Sequence, residues 1–127
     1  MVRRLLWIGA AAAVLGACSH RHSDEGEAAP AVDQGWTLTI INHHWLDVSI
    51  YVTTDGQRSH VGFVTATQTV SFDMPARTIA AGRLITLVAD PVGGPRSVQS
   101  ERLAVQGGQS VEWTLEHGLE RSTVAVY

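Results

Sequence analysis

From Trp36 onwards, apolar residues recur at every second position and turn-forming residues break the pattern at short intervals. No stretch carries an apolar stripe at helical spacing over three turns. These observations predict an all-β domain, an immunoglobulin-like β-sandwich of seven to eight antiparallel strands. Alternation does not fix strand order, so a transthyretin-like sandwich or a small closed barrel satisfies the same pattern.

The elements follow in chain order. Trp36, Leu38 and Ile40 alternate with Thr37 and Thr39, the signature of a half-buried strand. Leu46, Val48, Ile50 and Val52 alternate with Asp47, Ser49, Tyr51 and Thr53 as the clearest strand. Asp55-Gly56 then supplies a hairpin turn, because glycine tolerates positive φ. A third strand spans Ser59 to Thr65, with Val61 and Phe63 expected to face inward. Thr67 to Met74 forms a fourth, with Val70, Phe72 and Met74 on one face. Pro75 ends it, because proline cannot donate to a ladder.

Ala76 to Gly82 reads as a connection with one helical turn. Leu84 to Asp90 is the fifth strand, with Ile85, Leu87 and Ala89 facing one way. The breaker cluster from Pro91 to Pro95 forms a loop. Val98 to Gln106 is a sixth strand whose polar first half belongs at an edge. Gly107-Gly108 turns the chain into Gln109 to Glu116, where Val111, Trp113 and Leu115 alternate with polar residues. A short strand from Ser122 to Val126 closes the domain.

Ahead of this domain lies a segment of different character. Arg3-Arg4 precedes the apolar run Leu5 to Ala17, 13 residues long, against the roughly 20 that a membrane-spanning helix needs. A basic start, a short apolar run and a small-residue site are the layout of an export signal, here residues 1–17. Leu15-Gly16-Ala17-Cys18 resembles the lipobox of bacterial lipoproteins. The resemblance implies lipidation of Cys18, which becomes the mature N-terminus. It also implies a membrane anchor built from several acyl chains, and two chains already suffice for stable attachment. Cys18 is the only cysteine, so no internal disulfide competes for it. Ser19 follows instead of the aspartate that retains such proteins at the inner membrane, so the resemblance implies an outer-membrane lipoprotein facing the periplasm.

Residues 18–35 read as the lipidated cysteine and a disordered tether, with Val32 its one sizeable apolar residue. Seventeen such residues reach roughly 20–25 Å. Residues 36–127 form the sandwich domain. Ile40-Ile41-Asn42 near its start and Gly108 to Leu115 near its end resemble the V/I-x-N and G-x-x-V-x-W-x-L strands of small bacterial β-sandwich lipoproteins. That resemblance implies a fold and brings no activity with it.

Without Arg3 and Arg4, seven arginines and no lysine stand against twelve acidic residues, a net charge of −5. An acidic chain without a basic run is a poor partner for nucleic acid. No G-x-S-x-G elbow occurs, and Glu112 and Glu116 fall about 13 Å apart on a strand, too far for a glycosidase pair. The glycine pairs lack a following helix and cannot cradle phosphate. The sequence therefore reads as a non-enzymatic module with no cofactor.

Two binding chemistries stay open beside docking to an envelope protein. Trp45 at a loop junction and Tyr51 on an outward phase are candidates for a partner surface or for stacking on a glycan such as peptidoglycan. His43, His44, His60 and His117 are candidate ligands for zinc or copper, with Met74 as a soft donor, if the fold brings three of them together. His20 and His22 in the tether supply only a two-ligand pair. Adjacent His43 and His44 point to opposite sides of an extended chain, which works against a shared ion.

Overall fold

A computed structural model describes residues 34–94 and 96–127 of the chain. The expected signal segment, Cys18, the tether histidines and Pro95 lie outside the described residues. The described chain forms nine strands: β1 Trp36–Asn42, β2 Val48–Thr54, β3 Gln57–Val64, β4 Thr69–Met74, β5 Leu84–Pro91, β6 Val98–Gln99, β7 Leu103–Ala104, β8 Ser110–Leu115 and β9 Thr123–Val126. Two short 3₁₀ turns, Ala76–Thr78 and Ala80–Gly82, stand where one helical turn was expected.

The strands form two sheets, ordered β4-β1-β8-β9 and β3-β2-β5-β6, with β7 also pairing on β5. Every described strand pairing stays within one sheet, so the fold is a sandwich and no closed barrel. The connections β1–β2, β3–β4, β4–β5 and β7–β8 each cross between the sheets, and β2–β3 and β8–β9 are hairpins. The core lies between the layers. β1 contributes Trp36, Leu38 and Ile40, β2 contributes Val48, Ile50 and Val52, and β5 contributes Ile85, Leu87 and Ala89. β8 adds Val111, Trp113 and Leu115. Each fully buried large apolar side chain stabilises the fold by about 1.5–3 kcal/mol.

Three expectations need correction. One pairing is parallel: β1 lies antiparallel to β4 but parallel to β8. β8 reaches β1 by crossing from the opposite sheet, a connection that permits either direction, whereas a tight hairpin permits only one. The expected sixth strand is interrupted, because β5 pairs with β6 at Val88–Ala89 and with β7 at Leu84–Ile85. Ser100 fills the gap, its hydroxyl accepting from the Leu87 N–H at 2.9 Å. This division raises the count to nine strands.

The third correction concerns Phe63. It faces outward and is 49% exposed, and Val64 takes the buried position instead. The cause is a bulge. Ile50 opposes Gly62 but Tyr51 opposes His60, which leaves Val61 as the extra residue. Val61 still packs partly against the core, as expected. The Asp55-Gly56 turn behaves as its residues predict, with φ of 51° and 78°, both positive as a type I′ turn requires.

Gly62 faces Phe72 of β4 across the gap between the sheets. A Cβ there would press into the Phe72 ring, 2.8 Å from its Cζ and closer still to Cε1. Gly62→Ala is therefore expected to destabilise the domain by about 1–3 kcal/mol in urea unfolding. Adding Phe72→Leu should recover part of the loss. Additive losses in the double variant would show that the two positions do not share one space.

Candidate functional site

The strand directions give the sandwich two distinct ends. β1 and β8 both run towards the end that carries the β1–β2, β3–β4, β5–β6 and β8–β9 connections. The chain enters at the other end, where the Gly35 carbonyl accepts from the Gly108 N–H at 2.8 Å. Trp45 stands on the β1–β2 connection, at the end away from that entry, and is 68% exposed.

The loop that carries Trp45 is held from below by Asn42. Asn42 is the last residue of β1, and its side chain is only 1% exposed. Its Oδ1 accepts from the His44 N–H at 2.9 Å, the local turn that asparagine favours. Its Nδ2 donates to the Leu46 carbonyl at 3.0 Å and to the Thr65 carbonyl at 3.2 Å. One amide thus ties together two connections that cross between the sheets. The Thr67 N–H donates to the His44 carbonyl at 3.3 Å, and the Asp47 carboxylate accepts from the Ala66 N–H at 2.9 Å. The Val92 N–H donates to the Asp47 carbonyl at 2.8 Å, which brings the β5–β6 loop alongside. Val92 is exposed there too.

Thr67 adopts φ of 62° in this network. A β-branched residue in the left-handed region is strained, at a cost of about 1–2 kcal/mol. The surrounding hydrogen bonds hold it there. The loop end is thus an ordered surface with an exposed indole upon it.

His44, in the β1–β2 loop, is buried. Its Nδ1 accepts from the Leu46 N–H at 3.1 Å, so a neutral ring carries its proton on Nε2. Its ring stacks against Trp45 with centroids 5.5 Å apart, which supports the indole from beneath. His43 points the other way, towards Glu116, with Nδ1 to Oε2 at 3.3 Å. His60 lies on β3 and meets Tyr51 edge-on. His117 is exposed after β8. Among the described residues no group of three or more His, Cys, Asp or Glu side chains is placed to hold a metal ion. Met74 is buried in the core.

Tyr51 and Trp45 occupy different surfaces. Tyr51 is half-buried on the outer face of the β3-β2-β5 sheet, its ring 4.5 Å from the Arg58 guanidinium and 5.1 Å from the His60 ring. Trp45 meets His44 instead. The two aromatics paired in the sequence reading therefore belong to separate features. Asn42 was visible in sequence only as part of a strand motif; its position at the end of an alternating run, just before a short loop, was the available signal for a turn-holding side chain.

No protein-family model matches this chain, and no curated protein matches it. Among solved structures, a protein from Eubacterium rectale determined by NMR is similar at 18% identity and a TM-score of 0.45, over 74% of this chain and 87% of that one. Among the described residues no helix is long and apolar enough to cross a membrane.

Proposed function

We propose that this chain is a lipid-anchored, non-enzymatic interaction module of the bacterial cell envelope, which meets a protein partner with its Trp45 end. The observation that carries this reading is Trp45 itself, a large indole 68% exposed on a loop fixed by Asn42. Buried aromatic anchors dominate protein interfaces, and an ordered loop loses little further freedom on docking. The lipobox residues Leu15 to Cys18 support attachment through the N-terminus. The chain enters β1 at the end opposite Trp45, so the attachment point and the indole stand at opposite ends of the domain. The residue after Cys18 favours the outer membrane, with the domain in the periplasm.

Trp45→Ala is expected to leave the unfolding midpoint within about 0.5 kcal/mol of wild type, as exposed substitutions do. A photo-cross-linker at His43 in intact cells should trap one discrete protein adduct, and Trp45→Ala should reduce that adduct at least tenfold. An adduct that persists undiminished in the variant would sink the assignment of Trp45. Cys18→Ser should shift the chain from the membrane to the soluble fraction; retention on membranes as firm as wild type would remove the anchor from the proposal.

A further inference from the structure

The outer face of the β3-β2-β5 sheet carries a second feature, separate from the Trp45 end. Residues 34–127 hold six arginines and eight acidic residues, so the domain is acidic. Three of those arginines nevertheless belong to this face or its rim: Arg58 on β3, Arg83 before β5 and Arg102 before β7. Arg83 is engaged, with Nε 3.1 Å from the Asp55 carboxylate. Among the described residues Arg58 and Arg102 form no ion pair.

The register sets these groups in a row. Arg58 lies beside Thr53, and Thr53 beside Thr86. Leu103 pairs with Ile85, so Arg102 comes next to Thr86 on the far side. Thr53, Thr86 and Arg102 line one concavity of about 500 Å³, with Asp55 and Leu84. Arg58 closes the other end of the row, its guanidinium parked on the Tyr51 ring. That contact, with His60 against the same ring, sets the Arg58 guanidinium beside Tyr51.

At about 4.8 Å per strand, three strand steps separate the backbones of Arg58 and Arg102 by roughly 14 Å. The Arg58 guanidinium lies against Tyr51, outside the concavity that Arg102 lines, so one small anion held in that concavity cannot reach both. A linear chain with repeated carboxylates can. Arginine forks bind carboxylates in bidentate fashion, the two threonine hydroxyls match sugar hydroxyls, and the half-exposed Leu84 offers a small apolar patch to a ring's C–H face. We propose that this face binds an acidic oligosaccharide laid across the strands, with one carboxylate on Arg102 and another on Arg58. Asp55 lines the same concavity with its carboxylate paired to Arg83.

The test is calorimetric titration of the detergent-solubilised full chain with a short oligogalacturonate. Binding is expected, with Arg102→Gln weakening it at least tenfold and Arg58→Gln at least fivefold. Arg121→Gln, on the turn after β8, should leave it unchanged, and maltotriose, a neutral oligosaccharide, should not bind. Unfolding midpoints of the variants identify any loss caused by misfolding, and Thr53→Val then provides a second, charge-neutral probe that should also weaken binding. Inorganic phosphate binding as tightly as the oligosaccharide would reduce the site to a plain anion site and overturn the proposal. Equal binding to phosphatidylglycerol vesicles with the same arginine dependence, or no oligogalacturonate binding at all, would overturn it as well. None of these outcomes touches the Trp45 assignment, since the two surfaces share no residue.

Discussion

Trp113→Ala is expected to lower the folding free energy of the domain by about 4 kcal/mol. Trp113 sits in the middle of β8, flanked by Ile40 of β1 on one side and Val124 of β9 on the other, and is 1% exposed. Its truncation removes the transfer free energy of the indole and leaves a cavity that neighbouring strands cannot close without losing register. A domain of this size has about 5–14 kcal/mol of stability in total. The loss should lower the thermal midpoint by roughly 20 °C. Trp113 also floors a cleft of about 400 Å³ at the open side of the sandwich, beside Val98, Leu119 and Val124. Water can reach the enlarged space from that cleft, which places the loss below the upper limit of about 5 kcal/mol. Trp113→Phe keeps most of the apolar volume and should lose about half as much. Urea unfolding followed by far-ultraviolet circular dichroism measures both. A loss under about 1 kcal/mol for Trp113→Ala would mean that β8 is not a core strand.

Much of this core was legible in sequence because each sheet buries only one face. Trp36, Leu38 and Ile40, and later Val111, Trp113 and Leu115, alternate with Thr and Glu, and the structure buries them as that pattern implies. Alternation reports which face a residue takes and nothing about its neighbours. It could not reveal that β8 lies parallel to β1, since direction follows from a connection that crosses between the sheets. It also misplaces residues beyond a bulge. Val61 is the extra residue, so the phase that puts Phe63 inward fails there by one step. The candidate sites were less legible, and for a physical reason. Arg58, Arg83 and Arg102 come from three segments that only the β3-β2-β5-β7 pairing brings to one face. The histidines were read as potential ligands from residue type alone. Their surroundings differ: His44 is engaged by backbone, His43 by Glu116 and His60 by Tyr51.

Asn42→Asp is expected to cost about 4 kcal/mol and to release the Trp45 loop while most of the sandwich stays folded. The Asn42 amide nitrogen donates to carbonyls of two separate connections, at Leu46 and Thr65. A carboxylate at the same place turns these contacts into repulsion between acceptors in a buried site, and leaves two carbonyls without their donor. Asn42→Ala removes the same bonds without adding charge and should cost less, about 3 kcal/mol. The aspartate variant carries a further signature. Burial against carbonyl oxygens disfavours its charged form and raises its folded-state pKa above the usual carboxylate value of about 3.9. Protonation therefore favours the folded variant: its deficit should be smallest at acidic pH and grow as pH rises through the raised value. The alanine variant has no group there to titrate and should show no such added dependence. The Trp45 contribution to tryptophan anisotropy, isolated as the difference between each variant with and without Trp45→Phe, should fall in both variants. If both keep wild-type stability and anisotropy, the loop is held by His44 and Asp47 without Asn42. The fixed support of Trp45 would then come from those two residues, and Asn42 would drop out of the account of the interface anchor.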